Sequence, residues 1–100
     1  MNKSVEINKY SNPLKVRKNL NKYLGKEVEL YLSSNPKKKY MIKNPQGKWV
    51  HFGAIGFSDY TKHQDINRKN KYLARATNIR GEWKDNPYSS NNLSINLLWD

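Results

Sequence analysis

Residues 37–52, KKKYMIKNPQGKWVHF, decide the fold. Tyr40-Met41-Ile42 and Trp49-Val50-His51-Phe52 flank Asn44-Pro45-Gln46-Gly47, in which Pro stands where a type I turn takes it and Gly where a left-handed residue follows. The two runs therefore read as an antiparallel hairpin. Upstream, Val28, Leu30 and Leu32 alternate with Glu27, Glu29 and Tyr31 as a half-buried strand requires, and Ser33-Ser34-Asn35-Pro36 ends that run. A strand over residues 27–32 paired with the hairpin sets Lys37, Lys38 and Lys39 near Glu27 and Glu29 across the ladder.

Helical patterns flank this sheet. Asn12 is a cap, Pro13 suits a first helical position and Gly25 suits the left-handed residue after the end, which predicts a helix over residues 13–24. On it Val16, Leu20, Tyr23 and Leu24 fall in one sector, while Lys15, Lys18 and Lys22 form a stripe elsewhere. Downstream, Gly53-Ala54-Ile55-Gly56 reads as a strand-to-helix turn, and Asp59 or Thr61 offers the cap of a long basic helix from Lys62 to about Arg80, closed by Gly81. There Ile66, Leu73, Ala76 and Thr77 share one side, and Arg68, Lys71 and Arg75 recur at i, i+3, i+7 on another. Ser89 or Ser90 caps a last short element, Asn91 to Trp99. Leu93, Ile95, Leu97 and Trp99 alternate as a strand would, but the cap favours a helix. The expectation is an N-terminal arm over residues 1–12 and a single α+β domain over residues 13–100. That domain holds a small antiparallel sheet of about three strands, packed with an N-terminal helix, a long basic helix and a short C-terminal helix.

Composition bounds the function. One hundred residues hold 19 Lys+Arg against 8 Asp+Glu, a formal net charge of +11, and no cysteine. Disulfides, thiolate metal sites and thiol nucleophiles are excluded. No apolar run approaches the roughly 18 residues of a membrane span, and Met1-Asn2-Lys3-Ser4-Val5-Glu6 lacks the apolar core of a secretory signal, so the chain is expected to stay soluble and unsecreted. With 12% aromatic residues it is not a disordered tail. Of the three tryptophans, Trp49 and Trp99 are expected in the core and Trp83 at the surface. The charge draws polyanions, nucleic acid first and an anionic membrane second.

The basic stripes carry the best functional signal. A cationic row of seven helical residues spans about 10 Å, comparable to the spacing of neighbouring phosphates. The candidate phosphate ligands are Lys15, Lys18 and Lys22 in one row, Lys37, Lys38 and Lys39 beside the sheet, and Arg68, Lys71 and Arg75 in the other row. Arginine is able to make two-pronged contacts that lysine is not. No sequence-reading module is present, which points to non-specific binding of double-stranded DNA or of RNA, without cofactor, metal or membrane partner and without catalysis. The exposed edges of the sheet leave room for a homodimer or higher self-association. His51, Asp59, His63 and Asp65 are the one cluster with acid, base or metal-ligand chemistry. Their spacing matches no metal motif, so a metal-dependent nuclease ranks behind a second alternative, docking of the positive faces on acidic protein partners during particle assembly.

The string Lys39-Tyr40-Met41-Ile42, Asn44-Pro45-x-Gly47-Lys48, Val50-His51-Phe52-Gly53 and Asp59-Tyr60-Thr61-x-His63-x-Asp65, continued by Lys71-Tyr72-Leu73-x-Arg75-Ala76, Ile79-x-Gly81-x-Trp83-Lys84, Asn86-Pro87-Tyr88-Ser89 and Asn91-Asn92-Leu93-Ser94, is distinctive. It resembles an uncharacterised family of short basic proteins of giant and other large nucleocytoplasmic DNA viruses, mimivirus-like ones above all. The resemblance covers about residues 37–99 and leaves residues 1–36 as a variable extension. It implies a chromatin-like role in genome condensation, in the virion and in the infected cell's viral factory or nucleus.

Overall fold

A helix begins where the sequence puts its cap. In the computed structural model, which describes residues 6–100, the Asn12 side chain accepts from the Lys15 N–H at 3.4 Å, Pro13 opens helix α1 (Pro13–Leu24), and Gly25 closes it at φ 70°. Val16 and Leu20 on its inner face are fully buried. The sheet follows as β1 (Tyr31–Leu32), β2 (Lys38–Lys43) and β3 (Trp49–Ala54), antiparallel and in the order β1-β2-β3. Register sets Tyr40 opposite Phe52 and Ile42 opposite Val50. The Tyr40 and Phe52 rings meet at 5.7 Å and, with Ile42, fill the core. Each such buried side chain contributes roughly 1.5–3 kcal/mol.

Two short helices, α2 (Tyr60–His63) and α3 (Ile66–Ala76), come next. Helix α4 (Ser90–Leu93) continues directly into a π-helical turn, Ser94–Leu98, which buries Leu93, Leu97 and Leu98. The Ser89 hydroxyl caps α4 by accepting from the Asn92 N–H at 3.2 Å, so the capped helix prevails over the alternating strand pattern. The Asn19 amide donates to the Leu97 carbonyl at 2.9 Å and joins α1 to the C-terminal segment. The α+β class, three-stranded sheet and flanking helices match the expectation from sequence. No helix among the described residues is long and apolar enough to cross a membrane.

Four local expectations are corrected. The strand over residues 27–32 shrinks to Tyr31–Leu32, because the Val28 N–H bonds the Asn21 side chain at 3.1 Å and holds that stretch against α1. Tyr31 then faces Met41 and Leu32 faces Tyr40, a register that leaves Glu27 and Glu29 away from the lysines. The long helix of residues 62–80 is instead broken at Gln64, which takes φ 57°, and restarts where Asp65 accepts from the Asn67 and Arg68 N–H groups. It stops at Ala76, where Thr77 Oγ1 and Asn78 Nδ2 donate to the Leu73 and Ala74 carbonyls at 2.6 and 2.7 Å and satisfy its last turn. Residues 7–12, read as part of an arm, pack on the domain: Ile7 and Ser11 are buried, and the Tyr10 carbonyl accepts from the Asp59 N–H. Trp49 is 42% exposed rather than core, edge-on to Tyr31 at 5.3 Å, whereas Trp83 is half-buried and donates to the Ile79 carbonyl.

Candidate nucleic-acid interface

Asp65 caps α3 and so fixes the phase of that helix. Arg68, Lys71 and Arg75 then emerge along one exposed face, and Ala76 and half-buried Leu73 turn inward. The three cations line a groove of about 540 Å³ that Lys38 and Ala54, from the paired ends of β2 and β3, also line. Phe57, Tyr72 and Trp99 supply its aromatic surface. The Tyr72 and Trp99 rings stack at 4.3 Å with planes 11° apart, while Phe57 is 70% exposed. Among the described residues no carboxylate lines this groove, so its field is uncompensated.

The structure thus brings five of the nine expected ligands to one concavity, Lys38, Lys39, Arg68, Lys71 and Arg75, and among the described residues Lys39 is the one of them paired with an acid. Lys15, Lys18 and Lys22 lie on α1 away from it, Lys15 half-buried and the other two exposed. Lys37 is exposed beside Lys38 but does not line the groove.

Lys39 is corrected as a phosphate ligand. It is 2% exposed, and its ammonium donates to the Phe57 carbonyl at 2.6 Å and to Asp59 Oδ2 at 3.1 Å. Burial lowers the Lys39 pKa, and the Asp59 charge and hydrogen bond oppose that shift. Asp59 Oδ1 in turn accepts from the Thr61 hydroxyl, which also accepts from the Asn12 N–H at 3.0 Å and lies 3.3 Å from Ser11 Oγ. The Tyr40 hydroxyl donates to Ser11 Oγ at 2.7 Å, and burial raises the Tyr40 pKa beyond the usual phenol range. This network pins the N-terminal segment, β2 and the start of α2 to one another. Asp59 occupies the position before α2 but makes no capping bond, because both of its oxygens are engaged here.

The acid, base and metal-ligand cluster does not converge. His51 Nδ1 pairs with the Ser33 hydroxyl at 2.6 Å, His63 Nδ1 accepts from the Asp65 N–H at 2.9 Å, and Asp65 serves as the cap of α3. Among the described residues no three histidine, aspartate or glutamate side chains are placed to hold a metal ion. The ring of His63 lies 5.2 Å from Trp99, with Nε2 buried and without a partner among the described residues. Its pKa is lowered by burial and by Arg68, against the opposing pull of Asp65.

What sequence reasoning missed is the place of Phe57 and Trp99 in the groove and the two asparagines that close the domain. The Asn91 amide donates to the Ala76 carbonyl at 3.1 Å, and the Asn92 amide donates to the Trp83 and Asn86 carbonyls at 2.8 and 2.9 Å. The first fixes the end of α3 against α4, and the second fixes the 3₁₀ turn Glu82–Asp85. The paired asparagines of the motif string were the available signal.

No curated protein and no solved structure matches the chain. Residues 28–76 match the model of a family of unknown function, DUF5754; the matched stretch runs from before β1 to the end of α3, and so takes in Lys38, Phe57, Arg68, Lys71 and Arg75 but neither α1 nor α4.

Proposed function

We propose that the protein binds double-stranded DNA through its phosphates, without reading sequence, and so condenses a viral genome. The carrying observation is the groove: three cations at i, i+3, i+7 on one exposed helix face and Lys38 on the same concavity, with no carboxylate among its described lining. Such an array supports engagement of two or three successive phosphates, since seven helical residues cover about 10 Å. A small uncharged ligand does not account for four cations left unpaired by acids among the described residues, because holding like charges together without a counter-anion is unfavourable. The viral setting rests on the resemblance of the motif string.

The test is a mobility shift on duplex DNA from low to high salt. Phosphate binding gives an affinity that falls with a log–log slope of about −0.9 per phosphate contacted. Arg68→Ala with Arg75→Ala is expected to weaken binding and flatten that slope while the domain stays folded, both side chains being exposed. RNA of equal length reads the preference between the two nucleic acids. Absence of a shift at low salt on every nucleic acid would refute the proposal and favour an acidic protein partner, captured in a manner that survives nuclease.

A further inference from the structure

We infer that the groove also receives an unpaired base, so that this surface distinguishes single-stranded from duplex nucleic acid; the inference rests on the phosphate-binding reading above. Three features separate this groove from a merely cationic face. First, it is a concavity of about 540 Å³, whereas the rail of phosphates on a duplex needs only a convex or flat row of cations. Second, a phenyl ring stands at its lip: Phe57 is 70% exposed, the most exposed residue of the aromatic set that lines the groove, and it packs with no other ring among the described residues. Third, the backbone that carries that ring is held in place. The Phe57 carbonyl accepts from the buried Lys39 ammonium at 2.6 Å, and Lys39 is fixed by Asp59 at 3.1 Å, so the loop pays little ordering entropy when a ligand arrives.

The rest of the lining has a different part. Tyr72 and Trp99 already stack on each other at 4.3 Å, and His63 takes up space beside Trp99 at 5.2 Å. Those rings form a rigid apolar surface behind the cations, and Phe57 is the one with a face free to stack. A strand whose phosphates lie on Arg68, Lys71 and Arg75 presents its bases to either side of that row. A base turned inward meets Phe57 and the Tyr72–Trp99 pair. In a duplex the same base is stacked and paired, so it gains this contact only at ends, nicks or melted stretches. Stacking of this kind accepts any base, consistent with a protein without a sequence-reading module.

The experiment compares three probes of equal phosphate number on the full chain by fluorescence anisotropy: oligo-dT, the same phosphodiester backbone with abasic residues, and a duplex. The expected result is oligo-dT bound roughly ten- to a hundredfold more tightly than the abasic strand. Phe57→Ala is expected to abolish that ratio, leaving the abasic and duplex affinities and their salt slopes unchanged, and Phe57→Trp to restore it. Equal binding of oligo-dT and abasic strand by the wild-type protein would overturn the base pocket while leaving the phosphate reading intact. Failure of all three probes to bind at low salt would overturn both. The 70% exposure of Phe57 keeps the alanine variant folded, which circular dichroism checks.

Discussion

Replacing Asp59 with Asn tests the network that holds the groove's lip. The change keeps the size and an acceptor oxygen but removes the charge that pairs with Lys39, whose side chain is 3% exposed. The ammonium then keeps the Phe57 carbonyl but has no charged partner among the described residues. Breaking a buried pair from one side costs about 3–5 kcal/mol. A ceiling follows from chemistry, because Lys39 is able to shed its proton. Neutralising at pH 7 a group whose ordinary pKa is 10.5 costs about 4.8 kcal/mol, at roughly 1.36 kcal/mol per pH unit. A domain of this size is stable by about 5–15 kcal/mol, so the variant is expected to stay folded but to melt on the order of 20 °C lower. The mechanism carries a signature. If the variant neutralises Lys39, its deficit relative to wild type shrinks by about 1.4 kcal/mol per unit from pH 7 to pH 9, and adding Lys39→Met recovers most of the loss. Urea titrations followed by circular dichroism at pH 7, 8 and 9 read both effects. A deficit below about 1 kcal/mol at pH 7, or a large one that neither pH nor Lys39→Met relieves, would refute the reasoning.

Burial and Arg68 depress the His63 pKa below its ordinary 6.5, so the neutral ring is favoured in the fold. That stability is present above pH 6.5 and lost as pH falls through the folded value; His63→Asn, which keeps an acceptor for the Asp65 N–H, is expected to flatten the acid limb of urea midpoints measured from pH 7.5 to pH 5. Gly53 and Gly47 both take positive φ, 82° and 79°, but an added Cβ at Gly53 meets Leu98 Cδ1 at 2.8 Å whereas at Gly47 it meets nothing. Thermal melts are therefore expected to show Gly47→Ala losing about 1–2 kcal/mol from backbone strain and Gly53→Ala losing clearly more. Ser89→Ala removes the cap of α4 and is expected to cost about 0.5–2 kcal/mol in the same assay, without altering the salt slope of DNA binding.

The fold was legible where local chemistry and burial agree. Asn12, Pro13 and Gly25 delimit α1 through their own backbone and side-chain preferences, and Asn44-Pro45-Gln46-Gly47 sets the β2–β3 register, with Lys43 opposite Trp49. The periodicity of residues 62–80 misled because it is the phase of two helices, not one. Gln64 at φ 57° is a conformation that side-chain type only weakly foretells, and the stop at Ala76 comes from side chains returning to carbonyls rather than from Gly81. In the site, Arg68, Lys71 and Arg75 could be read as a row from spacing alone. That Lys38 joins them with its charge unpaired among the described residues while Lys39 is committed to Asp59 could not, since nothing in a run of three lysines tells which of them meets Asp59. Phe57 was passed over for the same reason: its place at the groove depends on a contact 18 residues away in sequence, from Lys39 to the Phe57 carbonyl.

Condensation demands more than one groove, because a protein that coats a single segment raises no contact between segments. The exposed cations Lys18 and Lys22 on α1 belong to none of the groove's lining, and α1 is held to the domain by its own buried face and by the Asn19–Leu97 bond. One chain thus offers two cationic elements on a common rigid core, which is the minimum for bridging by a monomer. With charges of +11 on each copy, self-association without nucleic acid is opposed by repulsion, and the edges of the sheet become attractive to a second copy only once phosphates neutralise that charge. The expected behaviour is a monomer in free solution that bridges DNA segments in light scattering. Lys15→Ala, Lys18→Ala and Lys22→Ala together are expected to suppress the scattering increase while sparing binding of a single short duplex. If the triple variant condenses DNA as well as wild type, bridging runs through dimers of the groove-bearing face instead, and sedimentation of the DNA-bound protein would then reveal paired copies.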